Sequence, residues 1–153
     1  MDVIESAHTA PTRPQESHSP ALLAWLRMAR VVNRSNRAAA ERLREQGLTH
    51  AQFDVIAQVG SARGPTQQEL ADRLLVTQGN VCQLLDGLAK KGLVERRREG
   101  RSNHLFLTPQ GQDLFEQVVP EHEDWQAERM SALSDGEQRD LLRLLRKLDR
   151  SQR

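Results

Sequence analysis

The stretch Thr66–Lys91, TQQELADRLLVTQGNVCQLLDGLAKK, decides how this chain is read. It spells two short helices with an abrupt turn between them. Thr66 stands three residues before Glu69, the spacing at which a capping hydroxyl and an acid satisfy each other's backbone donors. Leu70, Ala71 and Leu74 follow at helical spacing, and the small Ala71 lets a second helix cross closely. Leu75 and Val76 fill the turn, and Thr77 offers a second N-cap hydroxyl. Val81, Leu84, Leu85 and Leu88, at i, i+3, i+4 and i+7, then give the second helix one buried face. Left outside at its leading end are Thr77, Gln78, Gly79, Asn80 and Gln83. Amides and hydroxyls on the first turns of a helix both donate and accept hydrogen bonds, which reading base edges in a major groove requires. The stretch is a helix-turn-helix, with Thr77–Lys91 as its recognition helix.

Past Gly92 the period changes. Leu93–Arg97 and Asn103–Leu107 read as two short strands, with Arg98–Ser102 as the hairpin tip and Gly100 supplying its awkward dihedral. Lys90, Lys91, Arg96, Arg97, Arg98 and Arg101 stand against only Glu95 and Glu99, a local excess of four positive charges. A charged hairpin alone is often only a solvated edge. Directly after a recognition helix it is a winged-helix wing. Arginines at such a tip, Arg97, Arg98 and above all Arg101, suit a narrow electronegative minor groove. Lys90, Lys91 and part of the arginine run suit phosphates, which position a protein without reading sequence.

Composition bounds the rest. A chain of 153 residues is one domain, or one domain with a dimerisation extension. With 37% hydrophobic and 28% charged residues its core is modest, so a partner subunit is expected to complete the apolar burial. The net charge of +1 makes no case for nucleic acid; only the local clustering does. One cysteine excludes an intrachain disulfide. No run approaches the roughly 20 apolar residues of a membrane span, and the N-terminus reads as lacking a signal region, so a soluble cytoplasmic protein is expected. Two Trp, three Phe and no Tyr leave too few rings for a single-strand stacking platform.

Four segments are predicted. Residues 1–19, rich in Pro, Ser, Thr and His, read as a disordered or weakly ordered arm in which His8 and His18 are solvated. Residues 20–47 form a long helix, begun at Ser19-Pro20 and stopped by Gly47. Leu22, Leu23, Trp25, Leu26, Met28, Ala29, Val31 and Val32 make its first half apolar almost all round. That suits either a central core helix or, as we prefer for so small a chain, burial between two subunits. Residues 48–111 are the DNA-binding region: a helix over Leu48–Val59 capped by Thr49 and Gln52, a turn over Gly60–Pro65, then the helix-turn-helix and wing. Residues 112–153 are C-terminal helices. Thr108-Pro109 starts one that Pro120 should kink or break, and Ser134 and Glu137 box the next. Leu141, Leu142, Leu144, Leu145 and Leu148 give that last helix an interface stripe.

Three motifs together carry a family resemblance: LTHAQFDVIAQV (Leu48–Val59), QELADRLLVTQGNVCQLLDGLAKKGLVERR (Gln68–Arg97) and GRSNHLFLTPQG (Gly100–Gly111). Over roughly Pro20–Ser151 the chain resembles the MarR family of bacterial transcriptional regulators. The resemblance implies a mainly α fold with a small β wing, and a homodimer joined by its N- and C-terminal helices. Each subunit would offer a recognition helix to one half of a pseudo-palindromic double-stranded DNA site. It implies Arg101 as the minor-groove residue, with Glu99 supporting it where the family usually has Asp. It also implies a small, often aromatic or phenolic, effector between the dimerisation helices and the winged domain. Phe53, Met28 and Trp125 are candidates for lining such a site, although plain packing explains each of them equally.

Other chemistry is thinly represented. Cys82 lies one residue from the buried stripe and reads as a packing thiol, with a redox-responsive switch as the alternative. His50, His104 and His122 show no metal-ligand spacing, so neither a metal nor a cofactor is expected. No G-x-S-x-G or comparable nucleophile motif is present, so an enzyme is not expected. A winged helix used only for protein–protein assembly remains the reading from another class, and the polar helix tip and arginine-rich hairpin argue against it.

Overall fold

The structure, a computed structural model, describes residues 19–152. The expected N-terminal arm lies outside them, apart from Ser19. Six helices and one hairpin follow in the order α1 (Pro20–Glu45), α2 (His50–Ser61), α3 (Gln67–Leu74), α4 (Gln78–Lys90), β1 (Val94–Glu99), β2 (Ser102–Leu107), α5 (Pro109–Arg129) and α6 (Asp135–Arg150). The architecture is mainly helical with a two-stranded antiparallel sheet. The described residues divide into two compact units, with the boundary after Ala38, inside α1.

In the first unit, α1 begins where the Ser-Pro pair places it, with Leu22 N donating to Ser19 Oγ at 3.2 Å. Its apolar half carries large exposed side chains. Trp25 is 60% and Val31 62% exposed, and Leu22, Leu23, Leu26 and Val32 are exposed with them.

The second unit holds the core. Phe53, Ile56 and Val59 of α2 meet Leu70 and Ala71 of α3, Val81, Leu85 and Leu88 of α4, Leu105 of β2 and Val118 of α5. Each of Leu70, Leu85 and Leu88 is buried almost completely. Truncating any one of them to Ala costs about 2–5 kcal/mol, the lost transfer energy plus the cavity left behind. The helices start where their hydroxyls can cap them. Thr49, Thr66 and Ser134 form complete capping boxes with Gln52, Glu69 and Glu137, each such cap contributing about 1 kcal/mol. The box also holds the carboxyls of Glu69 and Glu137 below their ordinary range, chiefly through the backbone hydrogen bonds they accept from Thr66 and Ser134.

Three local expectations change. The helix α2 continues to Ser61, so Gly60 and Ser61 belong to it and the turn is shorter than the sequence indicates. The strands are longer than predicted and leave only Gly100 and Arg101 as the turn, with Glu99 paired to Ser102. A two-residue hairpin loop needs positive φ at its first position, and Gly100 supplies it at φ +63°. Finally, α5 runs through Pro120 without breaking. Pro120 has no N–H to offer the Glu116 carbonyl, but both residues are exposed, so that carbonyl is open to solvent.

The last helix, α6, buries no side chain. Leu142, Leu144, Leu145 and Leu148 are all exposed.

Candidate nucleic-acid interface

The turn of the helix-turn-helix is held by an unusual residue. Leu75 caps α3 in the left-handed region, φ 55° and ψ 39°, and its N–H donates to the Ala71 and Asp72 carbonyls. That closes the end of α3 and redirects the chain within two residues. Thr77 then caps α4, its hydroxyl accepting from Asn80 N at 3.3 Å. Its oxygen is therefore committed to the helix start, whereas Gln78, Gly79, Asn80 and Gln83 stand exposed on the leading turns. On the opposite face Val81, Leu85 and Leu88 are buried. The helix thus presents amides outward from a rigid seat, the condition for positioned base contacts.

The wing is seated at its base and free at its tip. Val94 of β1 and Leu105 of β2 are buried, and from Arg96 to Asn103 the hairpin is exposed. The base is stitched to the segment leading into α3. Leu105 N donates to Pro65 O at 2.9 Å, His104 Nδ1 lies 2.7 Å from Gly64 O, and Thr66 bridges to His104. Phe106 packs so closely on Gly64 that a Cβ there would sit 2.6 Å from the ring. The guanidinium of Arg97 lies 4.6 Å from the centre of the same ring.

The wing arginines consequently differ. Arg97 stacks on Phe106 and donates to Glu95 Oε1 from Nε at 2.8 Å. Arg98 Nε reaches only the Gly100 carbonyl, at 3.5 Å. Arg101 sits in the turn itself, exposed. No hydrogen bond or ion pair joins Glu99 to Arg101 among the described residues.

Three relationships escape a linear reading. Arg96 Nη2 pairs with Asp86 Oδ1 at 2.8 Å and so ties the wing to the exposed face of α4. Lys91, expected to serve phosphates, donates instead to Gly47 O at 2.6 Å and Gln52 Oε1 at 3.1 Å. It fastens the end of α4 to the α1–α2 junction, while Lys90 remains exposed. Cys82 is half-buried and takes a hydrogen bond from Gln67 Nε2 at 2.8 Å, the setting of a thiol packed between α3 and α4. For Arg96 and Lys91 the sequence signal was the presence of charge, and for Cys82 there was none; the partners lie too far along the chain to be named from it.

A second polar cluster lies among α2, α5 and the end of α1. His50 pairs with Asp54 at 3.2 Å. The His122 ring lies 4.4 Å from Phe53 and 5.5 Å from Trp125. Arg42 and Arg129 sit 5.6 and 4.9 Å from the Trp125 ring centre. Burial raises the Asp54 carboxyl above its usual range against the pull of His50, and burial first, with His50 second, lowers the His122 imidazole. The adjoining cavity, lined by Arg42, Leu43, Gln46, Val118, Glu121 and His122 among others, holds about 140 Å³. That is below the roughly 300 Å³ of an ordinary small-molecule site. Phe53 is core; Trp125 is half-buried. Among the described residues no group of three or more His, Cys, Asp or Glu is placed to hold a metal ion. No helix among them is long and apolar enough to cross a membrane.

A recognition helix with an exposed amide tip beside a tethered arginine hairpin defines a winged helix-turn-helix DNA-binding protein. Its resemblance to known proteins makes this particular. Residues 46–102 match the model of the MarR family. A helix-turn-helix-type transcriptional regulator of Bacillus cereus is 36% identical over 127 residues, 82% of this chain and 86% of that one. The transcriptional repressor YetL of Bacillus subtilis is 36% identical over 84 residues, 50% of this chain and 49% of that one. Among solved structures, MepR of Staphylococcus aureus in complex with DNA superposes with a TM-score of 0.76 at 23% identity, covering 86% of this chain and 98% of that one. The chain belongs to the MarR family: it is a DNA-binding transcriptional regulator, not an enzyme.

Proposed function

We propose that the protein is a homodimeric repressor of the cytoplasm that occupies a pseudo-palindromic operator. In each subunit Gln78, Asn80 and Gln83 read bases, Thr77 and Gly79 set the approach of the helix, and Arg101 enters the minor groove beside Arg98. Arg97 acts by bracing the wing, and Glu99 orients Arg101 only once DNA is bound. The observation that carries this reading is the pairing of an exposed amide tip on α4 with an unbraced arginine at the wing turn. Two subunits are supported by the apolar faces of α1 and α6, exposed in a single chain. Those helices, with α5, make residues 20–47 and 112–153 the dimerisation layer around a DNA-binding region at 48–111. The name of YetL favours repression. An effector of aromatic, anionic character would suit the Arg42–Trp125–Arg129 column, once the small cavity there opens.

Selection of bound duplexes from a random pool, followed by measurement of complex mass, tests this. The expected result is an inverted repeat with half-sites about 10 base pairs apart, bound by two subunits. A featureless pool, or one subunit per duplex, overturns it. The redox alternative through Cys82 has no support from its half-buried, hydrogen-bonded setting, and equal peroxide responses of wild type and Cys82→Ser would close it.

A further inference from the structure

The apolar residues of α1 share the helix with a second pattern. Arg27, Arg30, Arg34 and Arg37 recur at steps of three and four, so they fall on one face. All four are exposed, and no ion pair engages any of them among the described residues. From Pro20 to Ala40 there is no Asp or Glu to offset them. The two buried side chains of α1, Ala39 and Leu43, are four apart and lie on a different face, since neither Arg34 nor Arg37 is three or four residues from either. Like-charged guanidinium groups at i, i+3 and i+4 repel one another, a cost that acids on a partner surface relieve.

The matching acid is in the same sequence. On α5, Glu121, Asp124 and Glu128 repeat the three-then-four step of Arg27, Arg30 and Arg34. All three are exposed. Asp124 and Glu128 have no ion pair among the described residues, and Glu121 is engaged only by the neutral Gln46 amide, at 2.9 Å. Two helix faces of equal spacing and opposite charge, the arginine face beside exposed apolar side chains of its own helix, are complementary across a two-fold axis, where each copy supplies both faces.

We propose that the arginine face of α1 in one subunit docks on the Glu121–Asp124–Glu128 face of α5 in a second copy of the chain. This rests on the homodimer reading and goes beyond it. Apolar burial from α1 and α6 supplies the adhesion. The charged faces select the partner and fix the register, and they make assembly sensitive to ionic strength. Like-charged alignments of the same helices are rejected because they would bring arginine against arginine.

The test uses the full-length protein in two charge-reversed forms, Arg27→Glu/Arg30→Glu/Arg34→Glu and Asp124→Lys/Glu128→Lys, with circular dichroism to check folding. Wild type should be a dimer at low salt and dissociate about tenfold more readily as sodium chloride is raised, because screening weakens exposed ion pairs while apolar burial is not weakened by salt. Each reversed form alone should dimerise about ten- to a hundredfold more weakly. An equal mixture, one form tagged, should recover mixed dimers in preference to either homodimer. The neutral variant Arg27→Gln/Arg30→Gln/Arg34→Gln, which removes charge without reversing it, should show a smaller loss and serves if the reversed form misfolds. Reversed forms that dimerise like wild type, or a mixture with no preference for mixed dimers, overturn the proposal while leaving the homodimer standing. A wild type that stays monomeric at every concentration sinks the homodimer reading itself. Reversal that spares the dimer but lowers DNA affinity means the arginines meet phosphates, and the proposal also falls.

Discussion

Asp86 on the exposed face of α4 and Arg96 on β1 are joined by an ion pair at 2.8 Å, so the second helix of the helix-turn-helix and the wing are coupled to each other directly. On the proposed reading α4 faces DNA, where an acid would ordinarily repel phosphate. Here it aims the wing. Asp86→Asn therefore separates two effects of opposite sign. Removing a negative charge should raise affinity for random duplex. Loosening the wing should lower affinity for the specific site, by about twofold to fivefold given the modest worth of an exposed pair. Fluorescence anisotropy on both duplexes measures the two; a gain on both would show that the pair positions nothing.

The wing arginines should separate in the same way. Arg101→Ala should weaken specific binding about tenfold and reduce the slope of log affinity against log salt by about one, the signature of a lost contact to the DNA backbone or groove. Arg97→Ala should instead act mainly on the protein. It removes the stacking on Phe106 and the bond to Glu95, so thermal unfolding should shift down with the salt slope little changed. An identical change of slope in both variants would mean that Arg97 also touches DNA.

Leu75 is 92% exposed and held at φ 55°. A non-glycine residue in that region costs about 1–2 kcal/mol, and the exposed side chain recovers nothing by burial. Leu75→Gly should raise the unfolding free energy by roughly 0.5–1 kcal/mol, the relief of strain less the added freedom of the unfolded chain. Denaturant titration reads this directly, and a loss of stability would show that the leucine makes a contact that keeps it there.

The His122 imidazole is lowered, first by burial and then by the charge of His50, with Arg42 adding to the effect and Asp54 and Glu123 opposing it. A group whose folded pKa is depressed favours its neutral form in the native state. Its contribution is complete above the ordinary value of 6.5 and is lost as pH falls through the lower folded value. Asp54, raised by burial, runs the other way and at more acid pH, above its ordinary value of 3.8. Between about pH 7.5 and about pH 5, wild type should therefore lose more stability than His122→Gln. Parallel stability curves for the two proteins would remove His122 as the cause.

Much of this molecule was written in short-range signals. Thr49, Thr66, Thr77, Thr108 and Ser134 all cap the helices they precede, because a cap spans three residues and needs nothing beyond its own segment. The exposed amides of α4 follow from the spacing of Val81, Leu85 and Leu88 alone. Tertiary structure decided the long pairings. Arg96 finds Asp86 ten residues back, and Lys91 finds Gly47 forty-four residues back. No local propensity names such partners; packing of the core brings them together. The same packing overrides local preference at Leu75, where the α3–α4 crossing imposes a left-handed turn that leucine would not choose. Which charges remain free for DNA was therefore a matter of the folded state. The sequence by itself determined where helices begin and which faces are apolar, and the fold decided which arginines and lysines were already taken.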